Sequence, residues 1–326
     1  MLQCAKKWVA RMKIHALCVV KNEIDIIEQG LAAALPWADA IYVLDNGSSD
    51  GTWEAVRRLA DKEPKVVAWK QDPSPFSDGL RRKIFLEFAD QATRGDWWAR
   101  LDADEFYIDD PRQFLSNVPS ADGCVWYASL SYYFSSEEAK RYRDNPAQFA
   151  DDVPVLERCR HYFNHWSEPR FMRHEVMTPW EADTGWPEGI DNQIRHHPRR
   201  IRCRHFAYRS PSQIERRLAT RIGSASPSGA FSHEALQNWS DMVNPVAVRK
   251  HRWKQITYIN DRAKLDSSWE SRVVDARALV FDAHDGHFEF NEDLMPPIPN
   301  TLRPWWERVR YNRFTRRIAP RRTVAN

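Results

Sequence analysis

From Lys13 to Asp104 the chain alternates short apolar runs with amphipathic stretches: KIHALCVV, EIDIIEQGLAAAL, AIYVLD, TWEAVRRLADK, KVVAWK, LRRKIFLEFADQA and DWWARLD. Strand-length runs separated by helix-length ones predict βαβ units and a mostly parallel sheet, that is, an α/β fold. Ligands of such sheets bind at the carboxyl ends of the strands. Those ends carry Lys21-Asn22-Glu23 after the first strand, Asp45-Asn46-Gly47 after the second and Asp102-Ala103-Asp104 after the fourth. Three strand ends are therefore expected to converge on one crevice.

Beyond residue 120 the rhythm fades. CVWYASLSYYF and EPRFMRH read as strands, and Ser135 to Asp152 as a polar, acidic stretch. In IRCRHFAY the alternation puts Ile201, Cys203, His205 and Ala207 on one face and Arg202 and Arg204 on the other. Helical patterns return at about 211–222, 245–258 and 268–281, before the Pro-rich break MPPIPN. This organisation suggests one core over residues 12–222 and a mostly helical extension over 223–326, with no internal repeat. The end of the extension, Arg303 to Arg322, interleaves eight arginines with Trp305, Trp306, Val309, Tyr311, Phe314 and Ile318.

Composition changes this picture little. A length of 326 residues suffices for one large α/β domain with an appendage, and a formal charge of +3 is too mild for a nucleic-acid binder. The five cysteines are scattered without a CxxC pair, which argues against a zinc site and a disulfide framework and suits a reducing cytoplasm. The first apolar run, Ile14 to Val20, is too short to span a membrane and is followed by no signal-peptide cleavage site. Fifteen tryptophans against eleven glycines hint at flat apolar surfaces of the kind on which sugar rings stack.

The sharpest chemical signal is Leu101-Asp102-Ala103-Asp104-Glu105 at the end of the fourth strand. Residues two apart in an extended segment face the same way, so Asp102 and Asp104 are expected to project together. Two such carboxylates repel unless a hard cation, Mg²⁺ or Mn²⁺, takes oxygen ligands from both and leaves positions open for phosphate. Together with Val19-Val20-Lys21-Asn22-Glu23 and the run from Val43 to Thr52, VLDNGSSDGT, this motif resembles the family 2 glycosyltransferases of GT-A fold. There a strand ending near Lys-Asn-Glu, an Asp-(Asp/Asn)-Gly-Ser-x-Asp-Gly-Thr run and a DxD follow in this order. The likeness covers about the first 110 residues. The later His205-Phe206-Ala207-Tyr208-Arg209-Ser210 is similar to a His-x-x-Tyr-Arg-Ser element of some bacterial members.

The resemblance implies a nucleotide-sugar donor, preferentially a uridine diphosphate sugar, with the metal held by Asp102, Asp104 and His205. Lys21, Asn22, Glu23, Asp45, Asn46, Asp102 and an arginine of the pair Arg81 and Arg82, with Arg82 preferred, would face the nucleotide. The turn from Ser48 to Thr52 would cap the next helix. Family members invert at the sugar carbon, which needs a carboxylate base; the stretch from Glu175 to Gln193 offers Glu175, Asp183, Glu188 and Asp191, of which Glu188 and Asp191 are preferred. A retaining outcome stays open. Without transmembrane helices or a Gln-x-x-Arg-Trp motif, transfer of a single hexose to a glycan or lipid-linked acceptor is expected, in surface polysaccharide assembly. The basic, aromatic tail suits peripheral contact with an anionic membrane. Two other readings are an S-adenosylmethionine-dependent methyltransferase built on Leu44-Asp45-Asn46-Gly47, and a non-catalytic carbohydrate-binding protein.

Overall fold

The computed structural model describes residues 12–187, 190, 194–223, 240–243 and 267–299. The first hundred residues follow the expected rhythm. Strands β1 (Ile14–Val20), β2 (Ala40–Asp45), β3 (Val66–Gln71) and β4 (Trp97–Leu101) alternate with helices α1 (Ile27–Ala34), α2 (Thr52–Ala60) and α3 (Leu80–Phe88). β1 pairs in parallel with both β2 and β4, and β2 pairs in parallel with β3. All seven residues of β1 are buried because both faces of the sheet are covered. Ile14, Ala16, Cys18 and Val20 pack in one cluster with Ile27 and Leu31 of α1. Leu17 and Val19 pack on the opposite face with Leu80, Ile84 and Phe85 of α3. Each such large side chain withdrawn from water contributes about 1.5–3 kcal/mol.

α1 settles close to the sheet because position 30 is glycine. A Cβ there would lie 2.1 Å from the carbonyl oxygen of Ala103, the residue between the two aspartates. The helix thus braces the DxD turn from below.

The second half adds antiparallel strands: β5 (Glu105–Tyr107), β6 (Cys124–Tyr132), β7 (His161–Trp166), β8 (Pro169–Arg173), β9 (Ile201–His205) and β10 (Val280–Phe281). Between them lie α4 (Pro111–Ser116), α5 (Ser136–Asp144), α6 (Val155–Arg158) and α7 (Pro211–Gly223). β8 inserts antiparallel between β4 and β6, so the sheet runs β10-β7-β6-β8-β4-β1-β2-β3. Farther along β6, β9 takes the place of β8 and joins in parallel, with β5 antiparallel on its other side. The register of β5 on β9 sets Glu105 opposite His205, which brings the DxD turn to the end of β9.

The acidic stretch after β6 is the helix α5, started by a capping box in which Ser135 and Glu138 satisfy each other's backbone N–H groups. The helix expected over 268–281 is replaced by 3-10 turns at Trp269–Arg272 and Ala276–Ala278 and by β10. Its backbone is claimed by the sheet instead: Val274 N–H donates to the Phe134 carbonyl and Ser136 N–H to the Val274 carbonyl. The helix expected over 245–258 and the tail from 300 onward lie outside the described residues. Among the described residues no helix is long and apolar enough to cross a membrane, and the four described cysteines are buried and in no disulfide.

Candidate functional site

The carboxyl ends of β1, β2 and β4 meet as expected, but their residues do different things. At the end of β2, Asp45 and Asn46 are fully buried. Asp45 Oδ1 accepts from the N–H groups of Gly47 at 3.0 Å and Ser48 at 2.8 Å and from Gln71 Nε2 at 3.2 Å. Asn46 Nδ2 donates to the carbonyls of Asp72 and Ser74 at 2.7 and 2.8 Å. That leaves Asp45 Oδ2 and Asn46 Oδ1, acceptors on consecutive residues, buried without a hydrogen-bond partner. Buried acceptors are rarely left so, since each costs about 1–3 kcal/mol of lost hydration. Each has room in its bonding for an N–H or O–H donor of a ligand.

At the end of β1, Lys21 is partly exposed. Asn22 takes a left-handed conformation, φ 55°. Its amide ties three elements together, donating to Thr220 Oγ1 at 3.0 Å and accepting from Ser49 N–H at 2.9 Å. Glu23 receives Arg209 Nη2 at 2.5 Å. Asp50 accepts from Thr52 N–H at 3.0 Å just ahead of α2, whose N-cap is the left-handed Gly51 with no side-chain cap hydrogen bond, so the Ser48–Thr52 run forms the turn without the expected cap.

Asp102 and Asp104, expected to act together, are divided between two sets of partners. Asp102 Oδ1 is bonded to Arg81 Nη2, and its Oδ2 to Arg170 Nη1 at 3.0 Å with Arg100 Nε at 4.0 Å. Burial alone would raise the Asp102 pKa, but these three arginines hold it well below the usual carboxylate range. Arg81 is itself buried, and its Nε has no hydrogen-bond partner. Its neighbour Arg82 turns away, donating to the Trp180 carbonyl at 2.5 Å. Of the two arginines, Arg81 is therefore the one beside the DxD, contrary to the preference for Arg82. The α3 helix presents successive residues about 100° apart, so only one of them can face the crevice.

Asp104 faces His205, with Nε2 to Oδ2 at 3.5 Å, and Arg209 Nη1 at 3.6 Å. Burial pushes the Asp104 carboxyl up, but His205 and Arg209 outweigh it and keep the group ionised. Burial lowers the His205 pKa, and Asp104 and Glu105 more than reverse that, so its net shift is upward. Two of the three expected metal ligands thus meet. The third, Asp102, is turned to the arginines, and among the described residues no three His, Cys, Asp or Glu side chains form a metal-binding group.

Sequence reasoning missed the residues that organise this cage. Arg170 also bonds Glu105 and Glu168, the latter at 3.0 Å, and lies 4.3 Å over the Tyr127 ring. Glu105 is buried, and burial pushes its carboxyl up to about 8 against the pull of Arg170, with the Asp102 charge adding to the rise. Beneath them Asp25 gathers Arg158 at 3.1 Å, Arg209 at 2.8 Å and Arg216 at 3.5 Å. The available signal was an arginine inside the apolar run PRFMR, since a buried guanidinium must find carboxylates. Glu188 and Asp191, the preferred bases, lie outside the described residues. Of the other candidates, Glu175 accepts from Gly95 N–H at the amino end of β4, away from the site, whereas Asp183 meets Ser77 Oγ at 3.0 Å near its rim.

No family model matches the chain, and no curated protein matches it. Among solved structures it is similar to the mannosyltransferase PcManGT from Pyrobaculum calidifontis in complex with GDP-Man and Mn²⁺. That likeness has 15% identity and a TM-score of 0.38, over 66% of this chain and 64% of that one. It is also similar to S. aureus TarS 1-349, with 12% identity and a TM-score of 0.27, over 45% of this chain and 53% of that one. The chain spans less than two thirds of either. At these scores neither likeness decides the function.

Proposed function

We propose that the chain is a nucleotide-sugar glycosyltransferase whose donor lies across the carboxyl ends of β1, β2 and β4. The observation that carries this reading is the pair of orphaned acceptors, Asp45 Oδ2 and Asn46 Oδ1, on the same crevice as the arginine-bound DxD. The acceptors suit the N–H edge of a base or a ribose hydroxyl. Arg81 and Arg100 suit the diphosphate, because a planar guanidinium matches phosphate oxygens and keeps its charge at every working pH. Asp102 holds Arg81 and Arg170 in place. Uridine diphosphate is the preferred leaving group.

Asp104 and His205 supply one carboxylate oxygen and one imidazole nitrogen, donors that Mn²⁺ accepts, and so fit as two ligands of a cation. Such an ion would offset charge on the departing diphosphate. The chain's own part is to orient the diphosphate with arginines, to anchor the base, and to keep the reacting sugar carbon open to an acceptor hydroxyl on the side facing β9. Our reading of the reaction is an inverting transfer of one hexose to a glycan or lipid-linked hydroxyl, with Glu188 or Asp191 as the preferred base.

Isothermal titration with uridine diphosphate, with and without Mn²⁺, tests the reading. Binding is expected to strengthen with Mn²⁺, and Asp104→Ala to remove that gain while Arg81→Met weakens binding in both conditions by about tenfold. Failure of the wild-type protein to bind uridine or guanosine diphosphate under either condition would refute the reading.

A further inference from the structure

Three large apolar side chains stand exposed among the described residues: Leu86, Trp166 and Phe281. Leu86 lies on the outer side of α3. Phe281 is covered on one face, with Arg160 stacked 4.7 Å from its centroid. Trp166 is 47% exposed, and among the described residues no ring or cation is stacked on it.

Its position follows from an irregularity in the sheet. β7 pairs with β6 through Phe163↔Ser131 and Asn164↔Leu130, and then Trp166 pairs with Ser129, leaving His165 as an extra residue. Such a bulge sets two residues against one and re-aims their side chains. The His165 ring packs against Phe163, centroids 5.7 Å apart, and near Tyr133 at 6.4 Å. Both neighbours belong to the face of the sheet that carries Ser131, and Ser131 lies opposite His205. His205 also acts electrostatically on His165, whose pKa burial lowers to about 4, leaving a neutral ring with one donor and one acceptor nitrogen. Ser129 is two residues from Ser131, so Trp166 stands about two residue rises, ~7 Å, along the sheet from the row that holds His205.

We propose that the Trp166 bulge is a saccharide subsite, taking the C–H face of an acceptor pyranose on the indole while the half-buried His165 at its edge meets a hydroxyl. As an acceptor site it rests on the glycosyltransferase reading above; as a sugar-binding surface it stands on its own geometry. An exposed indole offers a flat, rigid apolar surface with little conformational entropy to lose, and polar groups at its edge fix the ring's orientation.

The test uses the full chain labelled with 5-fluorotryptophan, the Trp166 signal being the ¹⁹F resonance that disappears in Trp166→Phe. The probes are the methyl α- and β-glycosides of glucose, galactose, mannose and N-acetylglucosamine. A saturable shift of the Trp166 signal with at least one of them is expected. Saturation-transfer contacts to the same glycoside should fall by about fivefold or more in Trp166→Ala, with the affinity for uridine diphosphate unchanged. A Trp166 signal that none of the glycosides moves, or glycoside contacts equal in Trp166→Ala and wild type, would overturn the proposal. Because uridine diphosphate binding is read separately, a lost donor site and a lost saccharide subsite give different results.

Discussion

The two halves of the sheet are held together by different physics. The parallel half, β1 to β4, is laid down by local units whose strands and helices alternate along the chain and whose contacts are apolar. The antiparallel half joins it through the β4–β8 ladder and a shared apolar core, and adds buried charge over long sequence distances: Arg170 reaches back 68 residues to Asp102, Arg158 133 residues and Arg209 184 residues to Asp25. The first half can form from its own periodicity. These ion pairs exist only once both halves are in place, and the candidate site lies along that seam.

The most severe way to break the comparison is to remove the anchor. Asp25→Ala leaves the fully buried Arg158 without its carboxylate and takes from Arg209 one of the three it meets, and losing one partner of a buried ion pair costs about 3–5 kcal/mol. Guanidinium unfolding is expected to show a loss of this size, followed by hydrogen exchange that opens β8 and β9 before β1. A loss below about 1 kcal/mol would mean that packing, not charge, joins the halves.

Gly30→Ala strikes the seam from the parallel side. A methyl group 2.1 Å from the Ala103 oxygen meets backbone that cannot swing aside, and the expected cost is about 3 kcal/mol, the upper end for overpacking. Because the displaced carbonyl sits between Asp102 and Asp104, binding of uridine diphosphate should fall with it. Unchanged binding in a destabilised Gly30→Ala protein would separate the brace from the site.

What the sequence made legible follows the same division. β1 to β4, α1 to α3 and the crevice at their ends are written in local periodicity, and the alternation of IRCRH placed β9 and the inward face of His205. β7 was missed because HYFNHW carries rings on both faces and offers no apolar–polar contrast. The arginine cage was missed because a Coulomb contact between residues far apart in sequence, 65 for Arg170 and Glu105 and 68 for Arg170 and Asp102, leaves no periodic trace. Asp102 and Asp104 were expected to share a ligand from their spacing and from the motifs that precede them in order. Spacing fixes where two side chains start, while the arginines that compete for Asp102 come from α3 and β8.

Acid offers a milder break at the same anchor. Burial raises the Asp25 pKa, but Arg209, Arg158 and Arg216 outweigh it and hold the carboxyl down to about 2. A folded value below the unfolded one of about 3.9 means the contribution is complete above pH ~4 and disappears as pH falls through ~2. Its size is about 2 kcal/mol, and Asp25→Asn should flatten that part of the stability profile between pH 4 and 2. An identical acid profile in Asp25→Asn would assign the loss to other carboxylates.

The smallest effect sharpens the comparison rather than breaking it. Asn22 stands at the end of β1 with φ 55°, and its amide reaches Ser49 in the parallel half and Thr220 in α7. Replacement by alanine loses both bonds, each about 1 kcal/mol, and keeps an unfavourable backbone, so about 2 kcal/mol is expected. Glycine loses the same bonds but adopts the left-handed conformation freely, which returns part of the cost and leaves about 1 kcal/mol. If Asn22→Gly and Asn22→Ala unfold at the same denaturant concentration, the left-handed turn carries no strain. The amide's bridge to α7 would then be all that this residue contributes to joining the two halves.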